Sequence, residues 1–315
     1  MNHVIETLLE MVEADPLPAV HTSSHWQRYG RETLIERRGE QMVLKPVGFE
    51  GIIRPQFGGV ILHWVERLTY RSVTSQLKSY APIWRMSKQL VRDLSGGVNF
   101  YVFKSTCALA VLAEHWAAYR LSPRTLALIG DGYGFLGALI RRWQPGSRLY
   151  CIDLPKMLVF QANTHGKADP GATMSVLSAN DSDGADITFV LPQDIERIPD
   201  EIDCAINIAS MQEMNEFSIA SYFTFLRRRS TTSSRFYCVN RLRKELPGGE
   251  IASFAGYPWR EDDEVFINGL CPYYTHFLGG YTLPNGPRAL GMRVPFVNSF
   301  DGIHMHRLAR LAPVS

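Results

Sequence analysis

The sequence predicts an α/β fold in which a doubly wound sheet follows a mostly helical N-terminal region. From residue 121 onward, short apolar runs alternate with segments of helical periodicity, which is the pattern of a parallel sheet covered on both faces. One apolar run passes through a glycine-rich loop directly into an apolar helix, as in ligand-binding strand–loop–helix units. We therefore predict a helical cap at residues 1–120 and one α/β domain at residues 121–315.

Five apolar segments are the strand candidates of this domain. They are Thr125–Ile129, Arg148–Ile152, Ile187–Leu191, Ile202–Ile208 and Arg235–Val239. Helix candidates lie between several of them, at Gly134–Trp143, Lys156–His165 and Glu216–Arg229. Past Asn240 the sequence is richer in loop residues, and Met292–Val297 with Gly302–Leu308 is predicted to form a closing antiparallel hairpin.

The composition excludes several classes of protein. A net charge of +2, with 45% hydrophobic and 20% charged residues, suits a chain that buries a core and is unlike a nucleic-acid binder. We interpret the basic runs Arg37–Arg38, Arg141–Arg142 and Arg227–Arg229 as solvated helix ends. No stretch approaches about 18 consecutive apolar residues, and the acidic N-terminal segment does not resemble a secretory signal. We therefore expect a cytoplasmic protein without a membrane partner.

The five cysteines are scattered and lack CxxC spacing. Cys151, Cys204 and Cys238 fall inside strand candidates, and free cysteine is among the most buried residue types. They are therefore predicted to be core residues in a reducing compartment.

The segment LALIGDGYGFLGALI contains the strongest ligand-binding signal of the chain. Glycines at alternate positions let the backbone turn tightly and approach a ligand, which faces the free N–H groups at the helix start. A plain tight turn would require one glycine, not three. The predicted ligand-binding residues of this loop are Gly130, Asp131, Gly132, Tyr133 and Gly134.

A carboxylate follows this loop at the expected distance. Asp153 ends the second strand candidate about 20 residues further on, where a carboxylate can accept hydrogen bonds from ribose hydroxyls, and Leu154 comes next. The spacing of Gly132, Gly134 and Gly137 also satisfies the GxGxxG pattern of NAD(P)- or FAD-binding proteins. Two features favour S-adenosylmethionine instead: the long segment that precedes the first strand, and glycines at alternate positions directly after it.

Four segments resemble, in order and spacing, the bacterial family of proposed sugar O-methyltransferases, in the class I S-adenosylmethionine-dependent methyltransferase superfamily. They are GDGYG (130–134), IDLPKML (152–158) followed by Gln161, NIASMQEMN (207–215) and FYCVNR (236–241). The resemblance covers residues 124–241, and before them only Gly97 and Lys104–Tyr119 fit. It implies a Rossmann-like fold, S-adenosyl-L-methionine as the methyl donor, and a sugar or glycoside hydroxyl as the acceptor.

The chain departs from the family pattern at two positions. Leu128 stands where methyltransferases commonly have an acid, and Asp131 stands where many relatives have glycine. Asp131 either replaces the missing acid in holding the methionine amino group, or points to solvent.

The ends of the third and fourth strand candidates supply the remaining site residues. Gln193 and Asp194 either flank the adenine or form an ordinary turn. After the fourth strand candidate, Asn207, Ile208 and Ser210 are predicted near the sulfonium. Ser210 could instead be a helix N-cap that forms a capping box with Glu213.

A sugar hydroxyl is a poor nucleophile, so its methylation requires a positioned general base. Glu213, assisted by Gln212, is the first candidate, and the family resemblance favours both. His276 in the aromatic segment PYYTHF is the second candidate, ahead of His304 and His306. We interpret the acidic run at 261–264 as a solvated loop and predict no obligatory metal.

Two other functions remain open at this point. A nicotinamide-dependent oxidoreductase would use the GxGxxG pattern, and a catalytically silent methyltransferase-like binding subunit is compatible with Leu128. The predicted enzyme is an S-adenosylmethionine-dependent O-methyltransferase whose N-terminal cap shapes the acceptor pocket. Neither the acceptor nor the oligomeric state follows from the sequence, and a homo-oligomer is allowed.

Overall fold

The structure is a computed structural model that describes residues 2–14, 22–38, 41–45, 70–177, 184–274, 277–278, 288–293, 297–298 and 302–314. The helices are α1 (Asn2–Ala14), α2 (Ser24–Glu32), α3 (Tyr80–Asp93), α4 (Phe100–Ala118), α5 (Phe135–Trp143), α6 (Pro155–Ala168) and α7 (Glu216–Arg228). Short 3-10 segments lie at Pro192–Arg197, Met211–Glu213, Phe254–Gly256 and Pro272–Tyr274.

Two strands lie in the N-terminal region, and the others lie in the α/β region. They are β1 (Leu34–Arg38), β2 (Gln41–Lys45), β3 (Thr125–Ile129), β4 (Arg148–Ile152), β5 (Met174–Val176), β6 (Ile187–Val190), β7 (Cys204–Ile208), β8 (Arg235–Arg241), β9 (Arg243–Glu245), β10 (Ile251–Ser253), β11 (Glu264–Leu270), β12 (Phe277–Leu278), β13 (Arg288–Ala289), β14 (Met292–Arg293), β15 (Val297–Asn298) and β16 (His304–Arg310).

An eight-stranded sheet has the order β11-β16-β8-β7-β3-β4-β6-β5. The six strands from β8 to β5 are parallel, whereas β16 is antiparallel to both β8 and β11. From β3 at the centre, the chain goes first to β4 on one side and later to β7 on the other. The loops after β3 and β7 therefore diverge, and a crevice opens at the carboxyl ends of these strands. This is an α/β, Rossmann-like fold, as predicted.

Apolar residues cover both faces of the sheet. One buried cluster joins its first face to α1, α3, α4, α5 and α6, with Leu8, Leu109 and Leu128 as members. A second cluster joins the opposite face to α7 through residues such as Phe223. Helix α4 is buried along most of its length, because its sequence is apolar nearly all round. The N-terminal helices thus share one core with the sheet.

The five strand candidates and the three helix candidates between them are confirmed, with small shifts of their ends. Helix α5 begins at Phe135 because Gly134, with φ of +78°, holds the left-handed backbone that precedes it. The three cysteines predicted to be core residues are fully buried, and all five cysteines are free.

The predicted closing hairpin is wrong. The strand at Gly302–Leu308 exists as β16, but its partners are β8 and β11, while Met292 pairs with Ala289. Strand β11 was missed because an edge strand has one partner only. Its sequence, EVFINGL, contains Asn and Gly and has no long apolar run.

Two interpretations of charged runs as solvated segments are also wrong in part. Asp263, within the acidic run, forms a buried ion pair with Arg227 at 2.6 Å. Its carboxylate also accepts hydrogen bonds from the backbone N–H groups of Arg260 and Ala312. This pair ties the end of α7 to the loop before β11. Over the part of the chain described above, no helix is long and apolar enough to cross a membrane.

Candidate functional site

A cleft with an empty volume of about 1000 Å³ lies at the carboxyl ends of β3, β4 and β7. Eight residues predicted from the sequence line it: Gly130, Asp131, Gly132, Asp153, Leu154, Ile208, Ser210 and Glu213. Residues that the sequence did not predict also line it, among them Ser23, Trp26, Tyr101, Lys104, Met157, Met214 and Tyr222. We call the part around Gly130, Gly132 and Asp153 the glycine-loop end, and the part around Glu213 the Glu213 end.

Gly130 and Gly134 of the loop, and Gly137 of the following helix, leave no room for a side chain. Gly130 has φ of +72°, and a Cβ there would lie 2.1 Å from Ser210 Oγ. Gly134 also has a positive φ, and a Cβ there would lie 3.1 Å from the Cα of Gln161. At Gly137, a Cβ would lie 2.6 Å from Leu128 Cδ1. The absence of side chains therefore lets the loop lie against α6 and the end of β7, and lets α5 lie against β3.

The Asp131 side chain turns toward the start of α5. Its Oδ2 accepts a hydrogen bond of 2.8 Å from the Gly137 N–H, and its backbone carbonyl accepts one of 2.6 Å from the Tyr101 hydroxyl. Burial raises the pKa of Asp131 to about 7, although hydrogen bonds from the backbone of Gly137 and Leu136 and the charge of Lys104 oppose the rise. The carboxylate thus lines the cleft and stabilises the helix N-terminus.

Asp153 lies opposite, at the end of β4. One of its oxygens accepts from the Leu154 N–H at 2.8 Å, and the other accepts from Gln161 Nε2 at 2.8 Å. Burial and the charge of Asp131 raise the pKa of Asp153 to about 7, against hydrogen bonds that include one from the Gly132 N–H. Two half-buried carboxylates therefore line the same cleft without a cation in contact among the described side chains.

Asn207 and Ser210 hold the strand ends together. Asn207 is fully buried; its amide donates to the Ile129 carbonyl at 2.8 Å, and its Oδ1 accepts from Asn240 at 2.7 Å. The Ser210 hydroxyl donates to the same Ile129 carbonyl at 3.0 Å. The capping-box alternative for Ser210 and Glu213 is wrong, because the Ser210 side chain caps no helix N–H. Ser210 lines the cleft, whereas Asn207 lies behind its wall.

Glu213 is buried between the side chains of Lys244 and His25. Its Oε1 lies 2.6 Å from Lys244 Nζ on β9, and its Oε2 lies 3.3 Å from His25 Nε2 on α2. Burial alone would raise the pKa of Glu213, but His25 and Lys244 hold it below its usual value. The Ser23 hydroxyl donates to the Glu213 carbonyl, which joins the N-terminal region to this end of the cleft.

The remaining predicted residues lie beside the cleft or outside the described chain. The Gln212 side chain accepts from the Arg241 N–H at 2.7 Å, and so it faces β8. Tyr133 packs against Phe160 in a small buried cluster. Asp194 forms an ion pair with Arg197 at 3.0 Å. His276 lies outside the described residues.

His304 is buried and stacks on Tyr274, with ring centroids 3.8 Å apart. Burial, chiefly, lowers its pKa to about 3, so that the ring is neutral at physiological pH. In the described segments, no three His, Cys, Asp or Glu side chains come together as a metal site.

Lys104 is the most informative residue that the sequence did not single out. It extends from α4 into the cleft, and its Nζ lies 4.7 Å from the centre of the Tyr101 ring and 5.9 Å from that of Tyr274. Burial lowers its pKa to about 8, against the charges of Asp131 and Glu213. A signal was present, since Lys104 is the one charged residue in the largely apolar segment from Phe100 to Ala113. For Ser23 and Trp26 no local pattern exists, because the fold brings them to the cleft from a distant segment.

No protein-family model matches the sequence, and no curated protein matches it. Among solved structures, TehB from Haemophilus influenzae is similar at 16% identity over 62% of this chain and 60% of the TehB chain, with a TM-score of 0.39. Precorrin-6y C5,15-methyltransferase from Geobacter metallireducens GS-15 is similar at 13% identity over 63% and 87%, with a TM-score of 0.35. A proposed O-methyltransferase from Klebsiella pneumoniae is similar at 12% identity over 79% and 96%, with a TM-score of 0.40.

Proposed function

We propose that the protein transfers a methyl group from S-adenosyl-L-methionine to a hydroxyl of a sugar or glycosylated small molecule. The observation that carries the proposal is the glycine-loop end of the cleft. There the backbone of Gly130 and Gly132 lines the cleft together with the half-buried carboxylate of Asp153. Bound S-adenosylmethionine would supply an electrophilic methyl group on a cationic sulfur.

The residues at this end fit that ligand. Asp131 and Asp153 are half-buried carboxylates with raised pKa values, so a ligand that brings an ammonium group and ribose hydroxyls would stabilise their ionised forms. Their oxygens have lone pairs left, since a carboxylate can accept about four hydrogen bonds. Leu154, Met157 and Pro192 supply apolar walls on which a nucleobase can lie.

The side chain of Gln193 also suits a nucleobase, because it offers a hydrogen-bond acceptor. Its Oε1 is buried and accepts no hydrogen bond from the described residues, and it follows Pro192, which lines the cleft. A buried acceptor without a donor is costly, and an exocyclic amino group would supply that donor. This supports the expectation that Gln193 lies near the adenine, while Asp194 is engaged by Arg197.

The acceptor belongs at the Glu213 end. Tyr101, between the two ends, offers a ring on which a sugar can lie, whereas Trp26 packs with Leu154 and Met157 beside the glycine-loop end. The assignment of the general base to Glu213, with Gln212 as its support, remains a prediction. The ion pairs with Lys244 and His25 keep Glu213 ionised but also lower its affinity for a proton.

Titration calorimetry on the full chain tests the cofactor. We expect S-adenosylhomocysteine to bind and NAD and NADP to give no heat. An acceptor panel of methyl glycosides, incubated with S-adenosylmethionine and analysed by mass spectrometry, then tests the transfer. Binding of NAD without binding of S-adenosylhomocysteine would replace the proposal with an oxidoreductase. Cofactor binding without turnover of any glycoside would leave a binding subunit or a different acceptor class.

A further inference from the structure

Lys104 occupies an unusual place among the residues of the cleft. In the described part of the chain it is the one basic side chain that lines the cleft. It lies on the first turns of α4, whose start is fixed by Asn99, the N-cap residue that accepts from the Val102 N–H. Its ammonium is held over the Tyr101 ring at 4.7 Å. The position is therefore set by a rigid helix and not by a loop.

The groups that face Lys104 do not neutralise it by contact. The charges of Asp131 and Glu213 act on it through space, and among the described carboxylates none forms an ion pair with it. The Asp131 carboxylate is engaged by the Gly137 N–H, and Glu213 is engaged by Lys244 and His25. The amine is thus desolvated with incomplete compensation, and its neutral form is accessible near physiological pH.

Lys104 lies near the positions of both ligands in the proposed function. Lys104 lines the cleft together with Asp131, at the start of the glycine loop, and Glu213, past the end of β7, and the charges of both carboxylates act on its amine. A donor bound at the glycine-loop end and an acceptor bound at the Glu213 end would meet beside it. A cationic sulfonium there would make the ammonium form of Lys104 less favourable still.

We propose that the neutral amine of Lys104, in place of Glu213, is the general base that removes the proton from the acceptor hydroxyl, an inference that rests on the proposed function. The acceptor oxygen forms a bond to the methyl carbon, and its proton passes to Lys104 Nζ. The carbon–sulfur bond breaks, and its electron pair stays on sulfur, which becomes a neutral thioether. The ammonium formed on Lys104 is stabilised by the rings of Tyr101 and Tyr274 and by the Glu213 carboxylate.

A direct titration of Lys104 tests this without turnover. The protein is labelled with ¹³C at lysine Cε, and the signal absent from Lys104→Arg identifies Lys104. We expect its titration midpoint near pH 8 in the free protein, and a lower midpoint with S-adenosylmethionine than with S-adenosylhomocysteine, since only the former carries the sulfonium charge. The exposed Lys167 of α6 is the internal control, and its midpoint should be the same in all three samples.

Two outcomes of the titration have separate meanings. If calorimetry shows no binding of S-adenosylhomocysteine, the proposed function fails, whatever Lys104 does. If both ligands bind but Lys104 titrates like Lys167, or identically in the two complexes, the base assignment is overturned while the proposed function stands.

Turnover of a methyl glycoside separates a base from an anchor. Arginine keeps the charge but cannot give up its proton, so Lys104→Arg and Lys104→Met should both lower kcat by about 10²–10⁴-fold, with KM little changed. Lys167→Arg and Lys167→Met should match the unmodified protein. If Lys104→Arg retains kcat and only Lys104→Met raises KM, Lys104 anchors an anionic acceptor as an ammonium, and the base assignment is wrong.

Discussion

The pKa values of the carboxylates are shifted in opposite directions at the two ends of the cleft. At the glycine-loop end, burial raises the pKa values of Asp131 and Asp153 to about 7. At the Glu213 end, contacts with Lys244 and His25 hold the pKa of Glu213 below its usual value despite burial. At the glycine-loop end a ligand can supply the partners of the carboxylates, whereas at the Glu213 end the chain itself supplies them through Lys244 and His25.

This difference assigns different roles to similar side chains. A carboxylate that is neutralised by its own chain contributes to stability, and removing it leaves a buried cation. A carboxylate that awaits a ligand costs stability in the free protein and contributes to binding. Amide substitution of Asp153 and of Glu213 should therefore have opposite effects on the fold.

The largest change in the free energy of unfolding is expected for Glu213→Gln. The substitution leaves Lys244 half-buried beside an amide, and breaking a buried pair at one partner costs about 3–5 kcal/mol. Urea denaturation measures the change in the free energy of unfolding. The double variant Glu213→Gln with Lys244→Met removes both charges and should recover much of that loss. A stability within about 1 kcal/mol of the unmodified protein would show that the pair is a weak surface contact.

Asp153→Asn should act on binding instead of stability. The free energy of unfolding should be unchanged or higher, because a carboxylate with a raised pKa is removed. Affinity for S-adenosylhomocysteine should fall by about 1–3 kcal/mol, the cost of a lost partner in a buried hydrogen bond. Calorimetry measures this, with Asp262→Asn on the exposed surface as the control. If Asp153→Asn instead unfolds the protein as readily as Glu213→Gln does, the contrast between the two ends is wrong.

The sequence predicted the glycine-loop end because its signals are local. Gly130 and Gly134 are required by the backbone of one turn, and Asp153 ends a strand that is visible as an apolar run. The same holds for strands β3, β4 and β7, which are buried on both faces. Fold and loop could thus be predicted from neighbouring residues.

The Glu213 end could not be predicted in this way, since its contacts join distant segments. Glu213 was singled out, but its partners His25 and Lys244 come from α2 and β9. Asn207 was predicted to contact the cofactor, yet its amide crosslinks β7 to β3 and β8. Polar residues at a strand end can serve a ligand or the sheet, and only tertiary structure distinguishes the two.

The pH dependence of the free energy of unfolding also tests the contrast between the two ends, and its expected size is intermediate. Asp131 and Asp153 hold protons up to about pH 7 in the folded chain but release them near 3.8 when unfolded. The unfolded state therefore binds fewer protons between these values, and stability should fall as pH rises from about 4 to 7. Glu213, with a lowered pKa, contributes stability above about pH 4.5 that is lost as pH falls further.

Cofactor affinity should have the opposite slope in that window. Since a ligand with an ammonium group and hydroxyls stabilises the ionised carboxylates, affinity should rise up to about pH 7, by at most about tenfold per pH unit for each proton released. Calorimetry with S-adenosylhomocysteine across pH 5–8 measures it. Asp153→Asn should flatten both slopes, and slopes of the same sign for stability and affinity would contradict the account.

The smallest change in affinity is expected for Tyr101, which lies between the two ends. Its hydroxyl contacts the glycine loop, and its ring contacts Lys104. Its hydroxyl donates to the Asp131 carbonyl at 2.6 Å, and its ring lies 4.7 Å from Lys104 Nζ. Tyr101→Phe removes the first contact and keeps the second, so cofactor affinity should fall by about 0.5–1.5 kcal/mol, the value of one hydrogen bond. The Lys104 titration midpoint should stay in place. Tyr101→Leu removes the ring as well, and because the ring stabilises the ammonium, the midpoint should then move to lower pH. If Phe and Leu shift it equally, the hydroxyl rather than the ring sets the charge of Lys104, and the two ends are coupled through Tyr101.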